Sequence, residues 1–210
     1  SDLKSDNKVK GFVFLFSALY YRSSWKYKHR AFRYCLHDTG HMLGTLEASC
    51  TLSDKNYEII YDIDKNALNK LFGFGKEEFF LSSAIVGEVD KNLTCKEFLM
   101  DLPCVDGTGS FEQNTLIEKT YDETCKLLPN QQTQMPQFHF DKERLKQAIW
   151  QRRSMRDFTQ QSISKEDFLE VMNYVNAPIP SDCNVKIEIY AIINRVLGME
   201  KGVYKEGTYL

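Results

Sequence analysis

Residues 20–41, YYRSSWKYKHRAFRYCLHDTGH, constrain this chain more than any other stretch. Arg22, Lys26, Lys28, Arg30 and Arg33 fall among six aromatic residues, and His37 and His41 follow. A solvated helix face has no use for six aromatic rings, and a buried core does not hold five cations without partners. The mixture fits a surface that grips an anionic, aromatic or planar ligand.

Composition limits what that ligand can be. With 27 Lys and Arg against 29 Asp and Glu, the net charge is −2, so no general attraction to nucleic acid or acidic membranes is implied. At 210 residues the chain can bury one large core or two small ones. Its six cysteines (35, 50, 95, 104, 125, 183) are scattered, without metal-like or disulfide-scaffold spacing, which implies a reducing, cytoplasmic setting. The apolar run GFVFLFSALYY (11–21) is too short to span a bilayer and reads as a buried helix.

A longer helix is expected over 29–52, with Phe32, Leu36, Leu43, Leu46 and Cys50 recurring at helical spacings. Gly40 and Gly44 inside it suggest close approach of a neighbouring helix or ligand. YEIIYDID (57–64) reads as a strand, Asp64 as the cap of a short helix ended by Gly73, and FFLSSAIVG (79–87) as a buried strand. From 88 to about 140 prolines and glycines interrupt the pattern, with one helix near 112–127. Asp141 can cap a helix to residue 151 and Ser164 another carrying Phe168, Val171, Met172 and Val175. VKIEIYAII (185–193) alternates and then turns fully apolar, as a strand entering a core does.

Two motifs carry chemistry. RRSMR (152–156) places three guanidiniums and a hydroxyl where a helix gives way to an extended segment, a donor set suited to phosphate. Its alternative reading is a solvated basic helix end favoured by the macrodipole. The cations and rings of 20–34 also admit single-stranded nucleic acid as a ligand, although no other basic surface supports it. His37 and His41, four residues apart, could bind zinc, but no third ligand stands at meaningful spacing, and packing or hydrogen bonding is the simpler role. No metal is expected.

AIWQRRSMRDFTQQSISKEDFLEVM resembles the N-terminal signature of the nitroreductase superfamily, flavin enzymes with an RRS-x-R-x-F element. The resemblance implies an α+β fold, a nitroreductase-like antiparallel or mixed sheet flanked by helices. It makes Arg152, Arg153, Ser154 and Arg156 candidate FMN-binding residues. PSDCNVKIEIYAIINRVLGMEKGVY (180–204) is similar to the next family segment, a PSGG-like turn, which adds Pro180 and Ser181; Asp182 and Cys183 stand in place of the glycines. RSSWKYKHRAFRYCLHDTGHMLGTLEAS resembles the R-x-x-x-KYG-x-R-x-YRY pattern of the SagB-type dehydrogenases, which oxidise azolines in ribosomal peptides to azoles. The catalytic Lys-Tyr pair of that family then falls on Lys26 and Tyr27, an amine to remove the ring proton and a phenol to orient or donate. Lys28 replaces the glycine of the pattern and Phe32 a tyrosine.

The motif order is reversed relative to a single nitroreductase domain. We expect residues 1–90 to be the C-terminal half of one such domain, 91–140 a connector, and 141–210 the N-terminal half of the next. The two halves would form part of an intertwined dimer or pseudodimer, within a tandem protein or with a homodimer partner. The abrupt start at SDLKSD and stop at KEGTYL favour a cleaved or truncated piece, and circular permutation is the alternative. An FMN-dependent oxidoreductase acting on a peptide or small molecule is the leading expectation, without nucleic-acid or membrane partners. A general NAD(P)H-dependent nitro- or quinone-reductase and a degenerate, non-catalytic peptide-binding or scaffold domain are the competing readings.

Overall fold

The computed structural model describes residues 9–89, 102–103, 109–125, 141–177, 182, 188–205 and 208–210. They divide into two units, Ser1–Gln132 with Pro180–Cys183, and Thr133–Ile179 with Asn184–Leu210. Much of the expected connector, and residues 185–187 of the expected strand, lie outside the described residues.

In the first unit the apolar run is not a helix but strand β1 (Val9–Leu19). Alternating rings and branched side chains in Phe12–Phe16 fit a pleated surface, and an all-apolar run of this length has no periodicity that separates helix from strand. Its hydrogen bonds go to β3 (Glu78–Val89), antiparallel over the whole length from Val9↔Val89 to Leu19↔Glu78. Strand β2 (Tyr57–Ile60) pairs with the other edge of β3, giving the order β1-β3-β2. The central position of β3 explains why its sequence is apolar on both faces. At the β1 end Gly11 faces Gly87 (φ 138°), and a side chain on Gly11 would run into the Val86 carbonyl.

A register shift leaves Leu81 without a partner between Phe16↔Ser82 and Ser17↔Phe80. This β-bulge changes which side chains face the long helix α2 (Ala31–Leu52): Phe79 and Leu81 before it, Ala84 after it. Phe32 and Cys35 of α2 pack on the first pair, and Leu43 packs on Ala84 with Ile59. On the opposite side Phe80 packs with Ile63 and with Leu68 of the short helix α3 (Lys65–Leu71), which Asp64 caps by accepting from Ala67 N at 2.9 Å. Helix α4 (Thr115–Thr124) adds Ile117 and Tyr121 to the first cluster, with the Tyr121 ring stacked 4.0 Å from Phe79. Each such buried aromatic contributes about 1.5–3 kcal/mol by area.

The second unit contains helices α5 (Lys142–Gln151) and α6 (Lys165–Val175) and an antiparallel sheet β4 (Tyr190–Ile193), β5 (Gly202–Lys205), β6 (Thr208–Tyr209). Asp141 caps α5 through Glu143 N and Arg144 N, and Ser164 caps α6 through Asp167 N. Neither helix buries a residue; Ile193 and Tyr204 are the buried apolar side chains described in this unit. Among the described residues no helix is long and apolar enough to cross a membrane.

Candidate functional site

Helix α1 (Tyr21–Tyr27) carries Lys26 and Tyr27 in its last turn, and its root is fixed by Tyr20. The Tyr20 carbonyl accepts from Ser23 N and Ser24 N, and its ring lies fully buried between Phe79 and Phe111. Its phenol donates to Glu118 Oε1 at 3.0 Å and accepts from Asn114 N at 3.1 Å. Burial, with the Glu118 carboxylate beside it, pushes the Tyr20 phenol up to about 12. One buried residue thus joins α1, the core and the start of α4.

The chain reverses at Lys28, whose backbone sits at φ 51°, ψ −133° while its N–H donates to the Ser24 carbonyl. This is the position at which the resembled pattern has glycine, and an L side chain there costs about 1–3 kcal/mol of backbone strain. A 3-10 turn over Lys28–Arg30 follows and leads directly into α2.

The reversal folds α1 against the start of α2 and assembles a ring-and-cation array. The Tyr27 ring centroid lies 4.5 Å from that of Tyr34. Lys26 Nζ sits 5.2 Å over the Tyr27 ring, and the Arg30 guanidinium 5.8 Å over the Tyr34 ring. Arg30 Nη2 also donates to the Tyr34 phenol at 2.9 Å. His29 Nδ1 lies 3.1 Å from Asn114 Oδ1, the oxygen that caps α4 through Ile117 N, so Nδ1 is assigned as the protonated nitrogen. Lys26 and Tyr27 are therefore brought together on one exposed surface, 41% of Tyr27 being accessible.

Tyr34 was not singled out by sequence reasoning, although its spacing of four from Arg30 on a helix carried the signal. His37 is exposed and edge-on to Tyr34 at 6.3 Å, and His41 is also exposed. Among the described residues no three His, Cys, Asp or Glu side chains group as metal ligands. The close approach expected at Gly40 and Gly44 is not made within the described structure: a Cβ on either would meet nothing within 4 Å.

The RRSMR residues lie in the second unit. Arg152 ends α5 and donates its N–H to the Ala148 carbonyl. Arg153 Nη1 turns back on the Trp150 and Arg152 carbonyls at 3.2 and 2.8 Å, so part of this guanidinium satisfies the helix end, as the macrodipole reading expects. Ser154 and Arg156 are exposed on the extended segment beyond. Pro180 and Ser181 lie outside the described residues. Their neighbour Asp182, in the first unit, accepts from Tyr61 N at 2.7 Å and Asp62 N at 2.8 Å, and its own N–H donates to the Ile59 carbonyl at 3.2 Å. Sequence reasoning saw there only a lost glycine.

No family model matches the sequence, and no curated protein matches it. Among solved structures the chain is similar to one described as a "putative nitroreductase" from Anabaena variabilis, at TM-score 0.63 and 19% identity over 90% of this chain. The chain spans 45% of the length of that structure. The likeness establishes a nitroreductase-like fold, with antiparallel sheets and helices in an α+β arrangement.

Proposed function

We propose that this chain is part of an FMN-dependent oxidoreductase of the nitroreductase superfamily, of the SagB type that oxidises azolines to azoles. The observation that carries the reading is the exposed Lys26–Tyr27 pair, held on one surface with Arg30 and Tyr34 in a chain of nitroreductase-like fold. Arg152, Arg153, Ser154 and Arg156 fit the cofactor chemically: they offer guanidinium and hydroxyl donors to a phosphate, although Arg153 commits one nitrogen to the end of α5. By the same resemblance Pro180 and Ser181 are further candidates for holding FMN. When bound, FMN supplies a two-electron acceptor.

The chain's own residues then have separable tasks. Lys26 Nζ takes the proton released from the ring carbon as the azoline becomes aromatic, and the Tyr27 phenol orients the ring by hydrogen bonding. Tyr34, tied to Arg30, limits the positions open to the Tyr27 ring. The separate sheets of the two units, and an alignment covering 90% of this chain on 45% of a longer one, support the reading of two domain halves belonging to a tandem or dimeric protein. We place that protein in the reducing cytoplasm, consistent with free Cys35, Cys50 and Cys125.

The test is purification of the full-length protein, with spectra recorded before and after FMN addition. Oxidised-flavin absorbance, and conversion of an azoline-containing peptide with oxygen consumption, are expected. Protein that carries no flavin and takes up none would sink the proposal. Turnover of NAD(P)H with a nitroaromatic, and none with an azoline, would select the general reductase reading instead.

A further inference from the structure

From Val9 through His37 there is no Asp or Glu, in a chain that holds 29 of them, while Lys26, Lys28, Arg30 and Arg33 crowd the end of α1, the 3-10 turn and the first turn of α2. All four are exposed, and none forms an ion pair among the described residues. Cations this close together repel one another, and folded proteins ordinarily dilute such a cluster with acids. Lys28 adds a second, independent observation. Its backbone occupies the left-handed region where glycine is the relaxed choice, so the side chain is kept at a cost to the fold. The third observation is Trp25. Its indole Nε1 donates to the Arg22 carbonyl at 3.0 Å, which fixes a 59% exposed ring on α1, the helix that also carries Lys26.

We infer that this surface recognises an acidic polypeptide, with Lys28 and Arg33 taking its carboxylates and the exposed Trp25 ring an apolar side chain between them. The inference deepens the oxidoreductase reading and rests on it for one point, that the bound polypeptide is the substrate whose ring reaches Lys26 and Tyr27. Fixed aromatic rings among cations are the residue types that dominate peptide and protein recognition. Nucleic acid is the less favoured occupant. A phosphate-tracking surface extends over many residues, whereas this one stops at Asp38 in a chain of net charge −2.

The experiment measures fluorescence anisotropy of labelled peptides with the full-length protein as purified with its flavin. Three probes are compared: a short Glu-rich peptide, its Gln-for-Glu isostere, and a single-stranded oligo-dT of similar length. We expect the Glu peptide to bind at least about tenfold tighter than the Gln peptide, with the preference fading as salt rises. The double variant K28E/R33E should lose about tenfold in affinity for the Glu peptide while keeping its circular dichroism and flavin content. Equal binding of the two peptides, tighter binding of oligo-dT, or an unchanged affinity in K28E/R33E would each overturn the inference. The anisotropy readout needs no turnover. Charge-selective binding by a protein that takes up no flavin would therefore sink the oxidoreductase reading while upholding the acidic-peptide surface, and flavin-loaded protein without that selectivity would do the reverse.

Discussion

Arg30 binds Tyr34 twice, through a 2.9 Å hydrogen bond to the phenol oxygen and with its guanidinium 5.8 Å over the ring, and the Tyr34 ring in turn lies 4.5 Å from Tyr27. A cation fixed at both edge and face leaves Tyr34 little rotamer freedom, so Tyr27 leans on a rigid neighbour. Tyr34→Phe keeps the ring and should leave turnover within about threefold, whereas Tyr34→Ala removes the support and should lower kcat about tenfold with little change in KM. Steady-state kinetics on an azoline peptide separate the two variants. Equal losses would mean that the hydroxyl, not the ring, is what matters.

The proposed proton transfer sets a larger effect for the pair itself. Lys26→Ala should cost about 10²–10⁴ in kcat, the usual worth of a positioned general base, and Tyr27→Phe about 10–10² for the lost orienting hydrogen bond. Both side chains are exposed, so neither change should disturb folding. Flavin absorbance and thermal midpoint are the controls. Full activity in Lys26→Ala would favour the non-catalytic peptide-binding reading.

Lys28→Gly should make the protein more stable. Relief of about 1–3 kcal/mol of strain at φ 51° exceeds the extra unfolded-state entropy of glycine, about 0.5–1 kcal/mol, so a gain of about 1 kcal/mol is expected in denaturant unfolding. The same change should weaken binding of the acidic peptide. A residue whose removal stabilises the fold and impairs recognition is kept for recognition.

How much of this was legible depends on the range of the interaction. Asp64, Asp141 and Ser164 were read as helix caps because a cap and its target lie two or three residues apart, and all three make those bonds. The placing of Lys26 and Tyr27 side by side is local too, both lying in the last turn of α1, while the chemistry proposed for them rests on the resemblance. The apolar run at 11–21 failed because its choice of strand over helix is made by β3, whose partner residues lie about sixty to eighty positions away. The bulge at Leu81, which sets the side of the sheet that each β3 residue faces, leaves no mark in composition. Tyr20 looked like one more ring in an aromatic run, and its partners Asn114 and Glu118 lie about a hundred residues downstream.

The Tyr20 phenol also gives a pH signature. Its pKa stands at about 12 in the folded protein against 10.0 in an exposed tyrosine, chiefly through burial. The folded state therefore holds this proton more tightly, and the stabilisation is complete below pH 10. As pH rises from 10 towards 12 the unfolded chain loses the proton first, and stability falls. Tyr57 and Tyr121 are raised in the same direction, so the loss is shared. Tyr20→Phe should flatten part of the slope of unfolding free energy against pH above 10, while costing about 1–2 kcal/mol at neutral pH for the lost bonds to Glu118 and Asn114. An identical slope in the variant would show that other groups carry the alkaline transition.

Asp182, next in sequence to the proposed cofactor residues Pro180 and Ser181, is bonded to the end of β2. Its carboxylate accepts from two successive backbone N–H groups, Tyr61 at 2.7 Å and Asp62 at 2.8 Å, just beyond the end of β2. Restoring the glycine of the resembled pattern would leave both donors without this acceptor, so Asp182→Gly should destabilise by about 1–3 kcal/mol in spite of matching the family. Asp182→Asn is the finer probe. An amide oxygen can still accept, but its NH₂ group would face the other N–H, so only one bond survives. Hydrogen exchange at the Tyr61 and Asp62 amides should quicken in both variants, and more in Asp182→Gly. If Pro180 and Ser181 hold the flavin, the loosened turn should also raise the FMN dissociation constant several-fold, with kcat at saturating FMN unchanged, because Asp182 acts on the turn and not on the reacting ring. Unchanged exchange would mean that Tyr61 and Asp62 are held by the sheet alone. Quickened exchange with unchanged FMN affinity would detach the turn from the cofactor and leave Asp182 a purely structural clamp.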